Sequence, residues 1–160
     1  MGRSKVAIIY HSQQAGNTQA AAECVAEGAR AAGDFEVVLF NTNEQRVDPA
    51  VLADCAGVAF GTPDYFSYLA GGLKVFMDDW LIAQRAGNEE INGMPVALFM
   101  THGGGGRAKQ PFEELCGRVG ERVGETVAIK GRPGEEESEL CRCLGALLVE
   151  KAAEFAEKGS

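Results

Sequence analysis

The sequence predicts an α/β chain: a three-layer doubly wound sandwich around a five-stranded parallel sheet of strand order 2-1-3-4-5. Three observations carry that expectation. Five short β-rich runs alternate with stretches whose apolar residues recur at helical spacing, and strands alternating with helices imply right-handed crossovers and helices on both faces of a parallel sheet. Several of the runs are continuously apolar, as strands covered on both faces are. No repeat or linker divides the 160 residues, about one domain's worth of chain, so one domain over residues 1–160 is expected.

Val6-Ala7-Ile8-Ile9-Tyr10 is the first buried strand. From Asn17 to Ala32, Ala21, Cys24, Val25, Gly28 and Ala32 form one small-residue face of a helix, ended by Gly33-Asp34. Phe35 to Phe40 is the second strand. Asp48-Pro49-Ala50-Val51-Leu52 carries an N-cap and a first-turn proline, the mark of a short helix. Gly57 to Gly61 is the third strand. Leu69, Leu73, Phe76, Met77 and Trp80 make an amphipathic helix, and Pro95 to Met100 the fourth strand. Phe112, Leu115, Cys116 and Val119 repeat at helical spacing after Pro111. Glu125 to Lys130 is the fifth strand, with Val127 and Ile129 as its core positions. Leu140, Leu144, Leu147, Leu148 and Phe155 mark the last helix, and Glu135-Glu136-Glu137 its solvated first turn.

Charge excludes several classes of partner. Fifteen basic and 23 acidic residues leave a net charge of −8, the wrong sign for a general nucleic-acid binder or an anionic membrane surface. No apolar run approaches the ~20 residues of a membrane span, and the start has neither a signal peptide nor a complete myristoylation pattern. Five scattered cysteines, at 24, 55, 116, 141 and 143, read as reduced and mostly buried thiols of a cytoplasmic protein. Cys141 and Cys143 stand two residues apart on a helix, about 200° around its axis, which disfavours a shared metal. Packing is the expected role of Cys143, and no metal site is expected.

In a doubly wound sheet a ligand sits at the carboxyl ends of the strands where the winding reverses, so the loops after strands 1, 3 and 4 are where chemistry belongs. The first is His11-Ser12-Gln13-Gln14-Ala15-Gly16-Asn17-Thr18. Main-chain N–H groups at a helix start, with the hydroxyls of Ser12 and Thr18, suit a phosphate; Gly16 allows close approach and Asn17 supplies a cap. The loop lacks the Gly-Lys-Ser/Thr of a nucleotide triphosphatase and the G-x-G-x-x-G of a dinucleotide fold, so it suits a monophosphate. The second, Gly61-Thr62-Pro63-Asp64-Tyr65-Phe66-Ser67-Tyr68-Leu69-Ala70-Gly71-Gly72, has three aromatics in four residues, fit to line a flat ring or to close the core over the sheet edge. The third, Thr101-His102-Gly103-Gly104-Gly105-Gly106-Arg107, places four glycines in a backbone able to approach a planar edge. His102 beside them is a candidate catalytic group.

Together these loops resemble the flavodoxin-like family over nearly the whole chain. Ser12, Gln13, Gln14, Ala15, Gly16, Asn17 and Thr18 are similar to its phosphate loop. Thr62, Pro63, Asp64, Tyr65 and Phe66, followed by Gly71-Gly72-Leu73-Lys74-Val75-Phe76-Met77-Asp78, are similar to the segment flanking the flavin in its FMN reductases and quinone oxidoreductases. Thr101, His102, Gly103, Gly104 and Gly105 resemble its flavin-edge loop. The resemblance implies non-covalent FMN, its phosphate on the first loop and its ring between the second and third, which is the known position of FMN in flavodoxin. It implies electron transfer with a redox partner protein, or with a small acceptor such as a quinone, flavin or nicotinamide; a homodimer is compatible with it. A partner with a basic docking patch would complement the acidic surface.

Two departures bear on the choice. The third loop carries glycine where pure electron carriers of the family usually stack an aromatic, which leaves the outer ring face open. The family's long insertion in the fifth strand, and those of many of its tetrameric quinone oxidoreductases, are absent. The chain therefore stands between an electron carrier and a small NAD(P)H-dependent quinone or flavin reductase, in which His102 would orient the acceptor or stabilise its developing oxyanion. A cofactor-free binding module of the same fold is the third reading. A receiver-type signalling domain would need acidic residues where His11-Ser12 and Gly61-Thr62 stand.

Overall fold

The computed structural model describes residues 2–159. Strands β1 (Lys5–Tyr10), β2 (Glu36–Asn41), β3 (Cys55–Pro63), β4 (Pro95–His102), β5 (Glu121–Arg122) and β6 (Val127–Lys130) form one parallel sheet. Helices α1 (Asn17–Ala32), α2 (Gly71–Arg85), α3 (Lys109–Cys116) and α4 (Glu135–Lys158) cover it. The order is β2-β1-β3-β4-β5, with β6 also paired to β4. The expected five positions are therefore present, but the fifth strand is broken. Glu121–Arg122 pairs with Pro95–Val96, Val123 N–H still donates to the Val96 carbonyl at 2.9 Å, residues 124–126 leave the ladder, and Val127–Lys130 rejoins it beside Phe99–His102.

Side chains alternate between two cores, as the period-two pleat requires. Ala7 and Ile9 of β1, Val58 and Phe60 of β3, and Val96, Leu98 and Met100 of β4 pack with α2 and α3. Val6, Ile8 and Tyr10, Ala59, and Ala97 and Phe99 pack with α1 and α4. The second face is made mostly of small residues, and α1 and α4 close together over it. A methyl group on Gly28 of α1 would lie 1.9 Å from the carbonyl oxygen of Arg142, and one on Gly145 of α4 would lie 2.0 Å from that of Val25. The two helix backbones are in direct contact.

The short helix expected at Asp48–Leu52 is present as a 3-10 helix, Pro49–Asp54; Asp48 caps it, its Oδ1 accepting from Ala50 N–H at 2.9 Å. Four local expectations need correction. Ala32, expected on the packed face of α1, is exposed. The helix after the glycine loop begins before Pro111, at Lys109, and Val119 lies in a separate 3-10 turn. Leu140 is half-exposed, because Gly145 and Cys141 set the phase of α4 against α1. The same phase buries Cys141 and exposes Cys143, so packing does not explain Cys143. Burial raises the Cys55 thiol to about 11 and that of Cys141 to about 12, which leaves both inert.

Candidate functional site

A cleft of about 210 Å³ opens at the carboxyl ends of β1, β3 and β4. Ser12, Gln13, Ala15, Gly16, Asn17 and Thr18 line one side, Pro63, Asp64 and Tyr65 another, and Thr101, His102, Gly103 and Gly131 the third. The expected residues Gln14, Thr62, Phe66, Gly104 and Gly105 lie outside this lining. Thr62 is fully buried; its hydroxyl donates to the Pro63 carbonyl at 2.8 Å and accepts from Ala70 N–H at 2.9 Å, knotting the start of the loop.

The first loop is built to leave amides free. Gly16, at φ 71°, is the N-cap of α1, and Asn17 is the first helical residue rather than the cap. That left-handed turn is one that glycine adopts without strain. The Ser12 hydroxyl caps the helix instead, accepting from Gln19 N–H at 3.1 Å. Among the described residues, the N–H groups of Gln13, Gln14, Ala15, Asn17 and Thr18 have no acceptor in the protein. The first turn of α1 has no acidic residue. Five free donors at a helix N-terminus fit an anion. The Thr18 hydroxyl is buried against that of Thr101 at 2.7 Å, which joins the first loop to the third.

Asn41, at the end of β2, clamps the loop and escaped the sequence reading. Its Oδ1 accepts from Ser12 N–H and Asn43 N–H, and its Nδ2 donates to the Ser12 carbonyl, all at 3.0 Å. The only signal was a buried amide closing an apolar run. His11 is buried as well, with Nδ1 2.9 Å from the Thr42 hydroxyl and its ring edge-on to Tyr65. Burial lowers its pKa, so the imidazole is neutral at pH 7.

The second loop is a two-residue hairpin under strain. Tyr65 and Tyr68 exchange both main-chain hydrogen bonds, at 3.0 and 3.1 Å, and Phe66 and Ser67 between them sit at φ 58° and 61°. Each non-glycine residue in that region costs about 1 kcal/mol. The Phe66 ring is fully exposed, so packing does not offset the cost. Asp64 holds the turn: Oδ1 accepts from Ser67 N–H at 2.9 Å and Oδ2 from Ala108 N–H at 3.1 Å, bolting the second loop to the end of the third. Tyr65 donates its hydroxyl to Gln13 Oε1 at 3.0 Å. Exchanging Phe66-Ser67 for Asn-Gly, the pair such turns favour, raises the unfolding free energy by about 1–2 kcal/mol. Urea denaturation of the ligand-free double variant checks this, and a loss of stability would mean that the turn is unstrained.

In the third loop Gly103 and Gly104 face open space: a methyl group on either would meet nothing within 4 Å. Of the four glycines only Gly106 has positive φ, at 65°. His102 lines the cleft, and its Nδ1 is buried without a partner among the described residues. An unpaired buried nitrogen costs about 1–3 kcal/mol, a penalty that a bound acceptor or donor would remove. No helix is long and apolar enough to cross a membrane, and among the described residues no cluster of His, Cys, Asp or Glu is placed to hold a metal ion.

The Flavodoxin family profile matches residues 8–144. A flavodoxin of Aquifex aeolicus (strain VF5) is 33% identical over 96% of this chain and 89% of its own. Among solved structures, a flavodiiron protein from Giardia intestinalis superposes with TM-score 0.85 at 23% identity, over 99% of this chain but 38% of that one. A flavodoxin from the domain Archaea superposes with TM-score 0.74 at 24% identity, over 92% of this chain and 99% of that one. The structural likenesses, at these identities, speak to fold alone. The profile match and the Aquifex relative go further: this chain belongs to the flavodoxin family.

Proposed function

We propose that the FMN phosphate is held by the free amides of Gln13, Gln14, Ala15, Asn17 and Thr18, and that the flavin ring lies between Tyr65 and the Thr101–Gly103 edge. As a flavodoxin, the chain binds FMN and transfers electrons through it to a redox partner. The observation that carries the placement is the set of five unpaired N–H groups at a helix start free of acidic side chains. The cleft is smaller than the ~300–1,000 Å³ usual for a whole ligand, which fits a site that encloses the phosphate end and leaves the ring at the rim. An exposed rim suits a carrier that must meet its partner.

When bound, the flavin supplies the redox chemistry; the protein supplies position and field. Tyr65 is fixed by Gln13 and His11, and Asp64 fixes the loop that carries it. The net charge of −8 disfavours added negative charge at the site, which lowers the potential of the fully reduced flavin. An acidic carrier is complementary to a partner with a basic docking face. Three buried, unpaired thiols fit a reducing, cytoplasmic setting.

His102 is the ring-edge group in this reading. His102→Ala weakens FMN and riboflavin alike by about tenfold, because Nδ1 serves the ring both ligands share. Unchanged affinity for both would remove His102 from the site. Steady-state assays with NADH or NADPH, with and without benzoquinone, test the carrier reading. A carrier oxidises neither nucleotide unaided, and rapid oxidation by the purified protein alone would make it a reductase.

A further inference from the structure

A free cation stands over the phosphate loop, and nothing in the first loop's sequence announces it. A methyl group on Gly16 would lie 3.9 Å from Arg132 Nη1, on the far side of the sequence in the turn between β6 and α4. That turn is braced. Gly131 N–H donates to the His102 carbonyl at 2.8 Å, which fixes the turn to the end of β4. Pro133 follows, which confines Arg132 to extended backbone. Gly134 N–H is taken by Glu137 Oε1 at 2.8 Å, which closes the start of α4.

The guanidinium itself is uncommitted. In a chain with 23 carboxylate side chains, three of the other eight arginines find them: Arg46 pairs with Asp79, Arg122 with Glu113, and Arg142 with Glu27 and Glu139. Arg132 is followed closely by Glu135, Glu136 and Glu137, yet among the described residues it has no ion-pair or hydrogen-bond partner. Its Nη1 lies instead beside the Gly16 turn, whose chain neighbours Ala15 and Asn17 carry two of the five amides that lack acceptors. A planar fork of donors is the side chain best matched to phosphate oxygens.

We infer that Arg132 binds the ligand's phosphate, closing over the Gly16 turn and giving the site a preference for a phosphorylated flavin that the amides alone do not fully supply. The inference rests on the phosphate placement proposed above. It adds a charge-assisted, salt-sensitive component to a site otherwise made of neutral donors. Arg132 is exposed, so changing it leaves the fold intact.

The test is to titrate ligand-free protein with FMN and with riboflavin, at low and at high NaCl, for wild type, Arg132→Gln and Arg132→Glu. Arg132→Gln is expected to weaken FMN about tenfold, to leave riboflavin unchanged and to flatten the salt dependence of FMN binding. Arg132→Glu weakens FMN further and again spares riboflavin. If wild type prefers FMN over riboflavin and Arg132→Gln keeps that preference and its salt slope, the role of Arg132 is overturned while the amide site stands. Equal loss of both ligands also overturns it, since that marks a structural effect. If wild type itself binds the two flavins equally, the phosphate placement falls, and the inference with it.

Discussion

Gly145→Ala lowers the unfolding free energy by about 3 kcal/mol, as read from urea denaturation of the ligand-free protein. The sign is opposite to the usual one, for alanine in an open helix interior is worth about 1 kcal/mol more than glycine. Here the added methyl would sit 2.0 Å from the Val25 carbonyl oxygen and 2.9 Å from Ala29 N. Both are backbone atoms of α1, so no side-chain rotation relieves the clash and the helices must separate. Separation withdraws Ala21, Ala22, Val25 and Ala29 from Leu148 and Val149, fully or almost fully buried between the helices and the sheet. Gly28→Ala meets the Arg142 carbonyl in the same seam and carries a similar penalty. The double variant is less destabilising than the sum, because one methyl already opens the gap the second needs. A neutral or stabilising Gly145→Ala would mean that the two backbones are not in contact.

The same seam separates what the sequence could reveal from what it could not. Part of the small-residue face of α1 was readable at 3.6 spacing: Ala21, Val25 and Gly28 are buried and the bounds, Asn17 to Ala32, are those observed, but Ala32 is exposed and Ala22, Ala26 and Ala29 complete the packed face. The phase of α4 was not: Leu140 and Cys143 look as apolar as Cys141, and only contact with α1 turns them outward. Likewise β5 is two charged residues, Glu121 and Arg122, without an apolar pattern; they are strand because Pro95 and Val96 lie beside them. In the site, the residues of each loop were legible as local strings. Their joints were not. Thr18 meets Thr101 across 83 residues, Asp64 meets Ala108 across 44, and Arg132 reaches Gly16 from beyond the last strand. These contacts follow from the winding of the sheet, which brings the ends of β1, β3, β4 and β6 to one edge while the chain between them passes through helices.

Gly16→Asp reduces FMN affinity by about a thousandfold and riboflavin affinity by less than tenfold. Gly16 caps α1 at φ 71°, a conformation aspartate tolerates better than most residues, at about 1 kcal/mol, so the protein folds. The introduced carboxylate would stand among the amides of Gln13, Gln14, Ala15, Asn17 and Thr18, where the phosphate is proposed to sit. Two like charges ~4 Å apart at a protein surface repel by about 4 kcal/mol, which is about three powers of ten in affinity. Arg132 sharpens the loss, for its Nη1 lies within 4 Å of the position of the new Cβ, and the introduced carboxylate would draw the guanidinium away from the phosphate. Restoring part of the FMN affinity by high salt, with riboflavin indifferent to it, is the accompanying signature, since screening weakens the repulsion between carboxylate and phosphate. Wild-type FMN affinity in Gly16→Asp, with the protein folded, would place the phosphate elsewhere than on the amides at the start of α1.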